Sequence, residues 1–216
     1  MATSGESSPY TDGRDRLLDA AERLIALKGV DGVSLREITA AADHRNHSAI
    51  AYHFRDRTGL VEAIWHRRTE TVGLERAALM LDLRSGGRER DLRSLVEAYV
   101  VPLANEIGRR RPSYWARFNE TWLTTLPLDF LDGFIADQAE RDPPVPLQSL
   151  SQLFDCMRTL VAENGTTDAS RRVALASRFV ITALATWERE SEQGRQAPES
   201  LKAYTDELER AESVLF

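Results

Sequence analysis

The stretch that most narrows what this chain can fold into is V-S-L-R-E-I, residues 33–38. A hydroxyl at Ser34 and a carboxylate three residues on, at Glu37, make a capping box, in which each side chain answers a backbone amide that would otherwise lack a partner. Val33 and Ile38 flank it at the spacing of a hydrophobic staple. A helix therefore starts at Leu35 and has room for about two turns before the polar break over residues 43–46. A second short helix is expected over residues 47–54, with Ala49, Ile50 and Phe54 facing inward, and Asp56 then caps a long helix bearing Leu60, Ile64 and Trp65. Upstream, Leu17, Ala21, Leu24 and Ile25 recur at helical spacing, and Lys28-Gly29 supplies a basic last turn and a left-handed stop. Two short helices across a tight polar turn, walled by a helix over residues 14–28, form a helix-turn-helix pattern.

Beyond it the periodicity stays helical, with no convincing strand. Helices are expected over residues 58–83, 90–108, 127–140, 146–163, 168–192 and 198–214, and one opening at Pro112-Ser113 with Trp115, Phe118 and Trp122 on a shared face. Pro102 lies inside the 90–108 helix and removes one backbone hydrogen bond, which should kink it. Residues 1–12 lack the basic start and apolar run of a secretory signal and read as a short flexible arm. No apolar run reaches membrane-spanning length. The single cysteine, Cys156, excludes an internal disulfide framework and fits a reducing cytoplasm.

Chemistry concentrates in HRNHSAIAYHFRDR, residues 44–57, which holds three of the four histidines, three arginines, an asparagine, a serine and a tyrosine. Zinc would accept imidazole, but His44 lies in the turn and no cysteine or acidic partner stands at ligand spacing to His47 or His53. Acid–base catalysis would need a nucleophile–base–orienter set, a phosphate loop or paired carboxylates, and none is present, so the residues call for no enzyme, cofactor or metal. A solvated helix face is the plainest alternative. It leaves unexplained why the polar residues gather on the second helix of a helix-turn-helix while the apolar ones keep a core face.

A recognition helix in the major groove accounts for that placement. Arg45 and Asn46 carry the donors and acceptors that read guanine and adenine edges, and Ser48 serves base or phosphate. Tyr52, His53, Arg55 and Arg57 stand where phosphate contacts would set the register. Charge weighs on the other side. The chain's net charge is −6, and its first 60 residues hold eight Lys/Arg against nine Asp/Glu, so any DNA-binding surface is local rather than a basic block.

Residues 14–64 resemble the N-terminal domain of the TetR family of transcriptional repressors. The likeness is carried by RLLDAAERLIALKGVDGVSLREITAAA and SAIAYHFRDRTGLVEAI: a first helix ending in Gly29, Ser34 opening the second, then Tyr52, His53, Phe54, the basic Arg57 and Leu60. Asp43 stands where a turn glycine is usual, the segment 38–50 is one residue longer than the common pattern, and Thr58 replaces an acidic residue.

The resemblance implies an all-helical homodimer with three parts: an arm over residues 1–12, a helix-turn-helix domain over 13–57 and a helical effector-binding and dimerisation domain over 58–216. Each subunit would bind half of a palindromic double-stranded operator through Ser34, Arg36, Arg45, Asn46, His47, Ser48, Tyr52, His53 and Arg57. A small-molecule effector would release a repressor of this kind. In the second domain Tyr99, Trp115, Phe118, Asn119, Trp122 and Phe154 are pocket candidates, with Phe130 and Phe134 in the same aromatic group and Arg117 or Glu120 as further polar anchors. Phe179, Ala183 and Trp187 are candidates for the dimer interface, although each fits an intramolecular core nearly as well. A helical ligand-binding or interaction module that no longer binds DNA stays open beside this reading.

Overall fold

The structure, a computed structural model, describes residues 9–43, 49–128, 133, 144–196 and 200–215. Among them there is no strand, and the chain divides into two compact units, residues 1–67 and 68–216.

In the first unit the capping box forms as its spacing requires. Ser34 Oγ accepts from the Glu37 amide at 3.1 Å, and the Ser34 amide donates to Glu37 Oε2 at 2.8 Å. This launches α2 (Leu35–Ala41), with Val33 and Ile38 both buried. Before it, α1 (Pro9–Lys28) starts upstream of residue 14, inside the segment read as an arm. Gly29 ends α1 at φ 84°, and Lys28 reaches across to Glu37 at 3.0 Å.

Asp43 takes φ 49°, so it occupies the left-handed turn position where the related pattern has glycine. Next described is α3 (Ala49–Phe54), whose Ala49, Ile50 and Phe54 are buried. Arg55, at φ 67°, turns the chain sharply, and Asp56 Oδ1 accepts from the Gly59 amide at 2.9 Å to start α4 (Arg57–Ser85). Leu17, Leu18, Ala21 and Ile25 of α1 close a core with Val33, Ile38, Ile50, Phe54, Leu60 and Ile64. At its edge Arg67 donates to Asp19 and Glu22, the latter nearly buried.

The second unit begins within α4, which is continuous through the boundary between residues 67 and 68. It continues with α5 (Leu92–Gly108), α6 (Trp115–Leu123), α7 (Val145–Glu163), α8 (Ala169–Glu192) and α9 (Ser200–Leu215). Asp91 caps α5 through Ser94, and Asp168 caps α8 through the Arg171 amide. Pro102 lies inside α5 and is buried. α6 and α7 pack on α8, while α9 packs chiefly on α5. The helix expected over residues 127–140, with Phe130 and Phe134, lies almost wholly outside the described residues.

Candidate nucleic-acid interface

The side chains singled out for DNA fall into three groups. Arg45, Asn46, His47 and Ser48, with His44, lie outside the described residues. Ser34 and Arg57 are engaged within the fold. Ser34 closes the capping box on both its backbone and side-chain sides. Arg57 Nη1 donates to the Val30 carbonyl at 2.6 Å, tying the start of α4 to the turn between α1 and α2. The third group stands outward: Arg36 on α2 is exposed, as is Tyr52 on α3, at 70 %.

His53 is half-buried and bridges the two environments. Its ring meets Tyr52 edge-on with centroids 4.9 Å apart, and lies 5.9 Å from the buried Phe54 ring. Phe54 in turn carries the Arg14 guanidinium 5.2 Å from its centroid. α3 therefore has one face sunk in the core and an opposite face that presents Tyr52. A six-residue helix can hold that division only because neighbouring helices bury Ala49, Ile50 and Phe54.

In the second unit the expected polar anchors are used internally. Asn119 Nδ2 donates to the Trp115 carbonyl at 2.8 Å within α6. Arg117, 3 % exposed, lies over the Tyr114 ring and pairs with Glu192 at 2.6 Å, while Glu120 pairs with Arg189. Trp115 and Phe118 are buried and stack with centroids 5.8 Å apart, and Trp122 is half-buried. Tyr99 and Phe154 are buried in contact, at 5.6 Å. A cleft of about 400 Å³ lies elsewhere, lined by Arg110, Arg111, Ser113, Trp187, Glu188 and Glu192 among others.

Of the three dimer candidates, Phe179 is 43 % exposed on α8, one turn from the exposed Leu175. Ala183 is half-buried, and its carbonyl accepts from Tyr204 Oη at 2.9 Å. Trp187 is buried and donates from Nε1 to Ser200 Oγ, so within the chain it joins α8 to α9.

Two residues that matter most to the second unit were not anticipated, although the sequence carried a signal for each. Glu188 sits four residues after the buried Leu184, on the apolar stripe of α8, and is itself buried. Its Oε1 and Oε2 accept from the Ala116 and Arg117 amides at 3.1 and 3.0 Å. It thereby caps α6, whose own N-cap residue Tyr114 makes no side-chain capping bond. Burial pushes its carboxyl up, against the pull of Ser113, those two amides and Arg117. Arg76 stands midway between the buried Val72 and Met80 and is fully buried too.

Among the described residues no cluster of three His, Cys, Asp or Glu could hold a metal ion, and no helix is long and apolar enough to cross a membrane.

Residues 17–64 match the family model described as bacterial regulatory proteins, tetR family. No curated protein matches the chain. Among solved structures, the chain is similar to a TetR-family regulator from Streptomyces coelicolor, at 14 % identity and a TM-score of 0.41, with 98 % of each chain covered. It is similar to a protein from a Rhodococcus species described as a candidate TetR-family transcriptional regulator, at 16 % identity and TM-score 0.44, covering 95 % of this chain and 98 % of that one. A further likeness, to a candidate TetR-family regulator from Mesorhizobium loti, has 14 % identity and TM-score 0.41, over 97 % and 98 % of the two chains. The N-terminal match spans the capping box, the left-handed turn and the short helix bearing Tyr52. Over residues 17–64, then, this chain is similar to the bacterial regulatory proteins of the tetR family.

Proposed function

We propose that the protein is a cytoplasmic, homodimeric transcriptional repressor that leaves a palindromic operator when a small molecule binds its helical unit. The observation that carries this reading is α3: three side chains anchor it in the core while Tyr52 stands 70 % exposed on the other face, within a segment that matches a DNA-binding family. An exposed aromatic hydroxyl can donate to a phosphate oxygen and fix the register of the preceding residues in the groove.

In this reading Arg45, Asn46, His47 and Ser48 face the bases. Arg36, Tyr52 and His53 contact the backbone, and Ser34 and Arg57 hold the two helices in place. Dimerisation is assigned to the face of α8 that leaves Leu175 and Phe179 exposed, since two large apolar side chains one turn apart are what a second copy would cover. Because α4 is continuous through the boundary of the two units, it is the element through which an effector would change the spacing of the two recognition helices.

The test is selection of random duplex DNA on the purified protein, with an Asn46→Ala/Tyr52→Ala double variant as control. A palindrome enriched by the wild type and lost in the variant is the expected result. No enrichment, or enrichment that the variant shares, would overturn DNA recognition by this helix and leave the helical unit as a ligand-binding or interaction module.

A further inference from the structure

The inward stripe of α4 consists of Val72, Arg76 and Met80, spaced one turn apart. Leucine at the centre of such a stripe would be ordinary; an arginine 1 % exposed is not. α7 closes tightly on one side. A Cβ placed on Gly73 would lie 2.4 Å from Pro146, and Ser149 Oγ donates to the Gly73 carbonyl at 3.0 Å. From α5, the Tyr99 ring faces the guanidinium, 5.8 Å from its carbon, and Phe154 of α7 packs beside Tyr99.

The neighbouring carboxylates are already taken. Glu75 accepts from Asn105 and Arg109, and Glu106 accepts from Arg68 at 3.1 Å and Arg109 at 3.0 Å. Both carboxylates thus accept from other side chains, and neither reaches Nε or Nη1 of Arg76. Its Nε and Nη1 are buried with no hydrogen-bond partner. Burial lowers its pKa only to about 10, so it stays protonated at neutral pH. The aromatic face of Tyr99 answers part of the charge but is a weak substitute for the oxygen acceptors that guanidinium N–H groups require.

A buried cation lacking such acceptors is unfavourable unless an anion joins it. A single guanidinium short of acceptors calls for a monoanion, and the planar donor group suits a carboxylate. The surrounding Val72, Met80, Tyr99 and Phe154 suit an apolar or aromatic body. We propose that Arg76 is the anion receptor of the helical unit and binds the carboxylate of a small amphipathic monoacid. The inference rests on the reading of that unit as the effector-receiving part of the chain.

The test uses the full-length protein at fixed ionic strength, with 3-phenylpropanoate as probe and 3-phenylpropanamide as its neutral counterpart. Calorimetry should show the acid binding wild type at least about tenfold more tightly than the amide, which is one charge-assisted pairing's worth of discrimination. Arg76→Met should erase that preference. Without ligand, Arg76→Met should melt at or above the wild-type temperature, because an unsatisfied buried charge has been replaced by an apolar group of similar length.

Absence of acid binding, equal binding of acid and amide, or a preference that survives Arg76→Met would overturn the proposal. So would a lower melting temperature for the unliganded variant, which would make the guanidinium a structural group. Operator binding, measured on the same samples, separates the two readings. Acid bound through Arg76 with operator affinity unchanged keeps the anion site and removes the effector role. Loss of the anion site with an effector response intact does the reverse.

Discussion

At Glu37 one carboxylate serves two purposes: it closes the capping box on Ser34 and receives the Lys28 ammonium. The Ser34 backbone amide first, and then Lys28, hold its pKa at about 2, against an ordinary value of 4.5. A carboxylate whose pKa is lowered on folding stabilises the fold fully above its unfolded value, and that contribution fades as acid approaches the folded one. Glu37→Gln should therefore melt below wild type at neutral pH, with the gap narrowing as pH falls from 4.5 toward 2. Thermal melts of both proteins across that range check this, and a gap that does not move with pH would refute it. The capping role was legible from spacing alone because its bonds reach only three residues. Arg57 was not so legible: its partner Val30 is 27 residues away, and a basic residue beside a candidate DNA-reading helix fits phosphate contact equally well on paper.

At the level of elements, α6 shows how a helix can be capped from outside. Tyr114 supplies no side-chain cap, and the Glu188 carboxylate of α8 binds the Ala116 and Arg117 amides instead. Removing it strips two buried donors of their acceptor and leaves Arg117 short of one carboxylate, so Glu188→Ala should destabilise the protein by about 3 kcal/mol or more. Urea unfolding measures it; a loss below about 1 kcal/mol would mean that water replaces the carboxylate at little cost. α8 also carries the outward pair Leu175 and Phe179, 50 % and 43 % exposed. Phe179→Glu places a charge where the proposed dimer buries apolar surface, and light scattering should find it a monomer at concentrations where wild type is a dimer. A dimer that tolerates the substitution would move the interface elsewhere. Helical periodicity named Phe179, Ala183 and Trp187 together, but only Phe179 is strongly exposed, because the stripe is wider than any single contact it makes.

For the whole molecule the question is how a chain of net charge −6 approaches a polyanion. Its first 60 residues are nearly balanced, with eight cationic and nine acidic side chains, and several of the cations are used internally. Lys28 pairs with Glu37 and Arg57 donates to the Val30 carbonyl, while Arg67, beyond that stretch, takes up Asp19 and Glu22. On the proposed reading, affinity would come from a few well-placed phosphate contacts on each half-site, doubled by the proposed dimer. Operator affinity should fall by roughly a hundredfold or more between 50 and 200 mM salt if the two heads together neutralise several phosphates. Fluorescence anisotropy over a salt series reads the slope; an affinity indifferent to salt would exclude phosphate-anchored recognition.

The sequence by itself determined that the chain is helical, where α1 ends and α2 begins, and that two short helices follow α1 in a helix-turn-helix pattern. Caps, staples, left-handed stops and apolar spacing act over three to seven residues and are written in chain order. Asp43 in the left-handed turn and Asp56 at the start of α4 are such local decisions. Tertiary structure decided what the inward-facing polar groups meet. Arg57 met a carbonyl, Glu188 met the open end of a helix 71 and 72 residues away, and Arg76 met an aromatic face without an acceptor for Nε or Nη1. Periodicity tells which way a side chain points. It carries no information about which distant segment arrives opposite, and for a buried charge that arrival sets both its energy and its use.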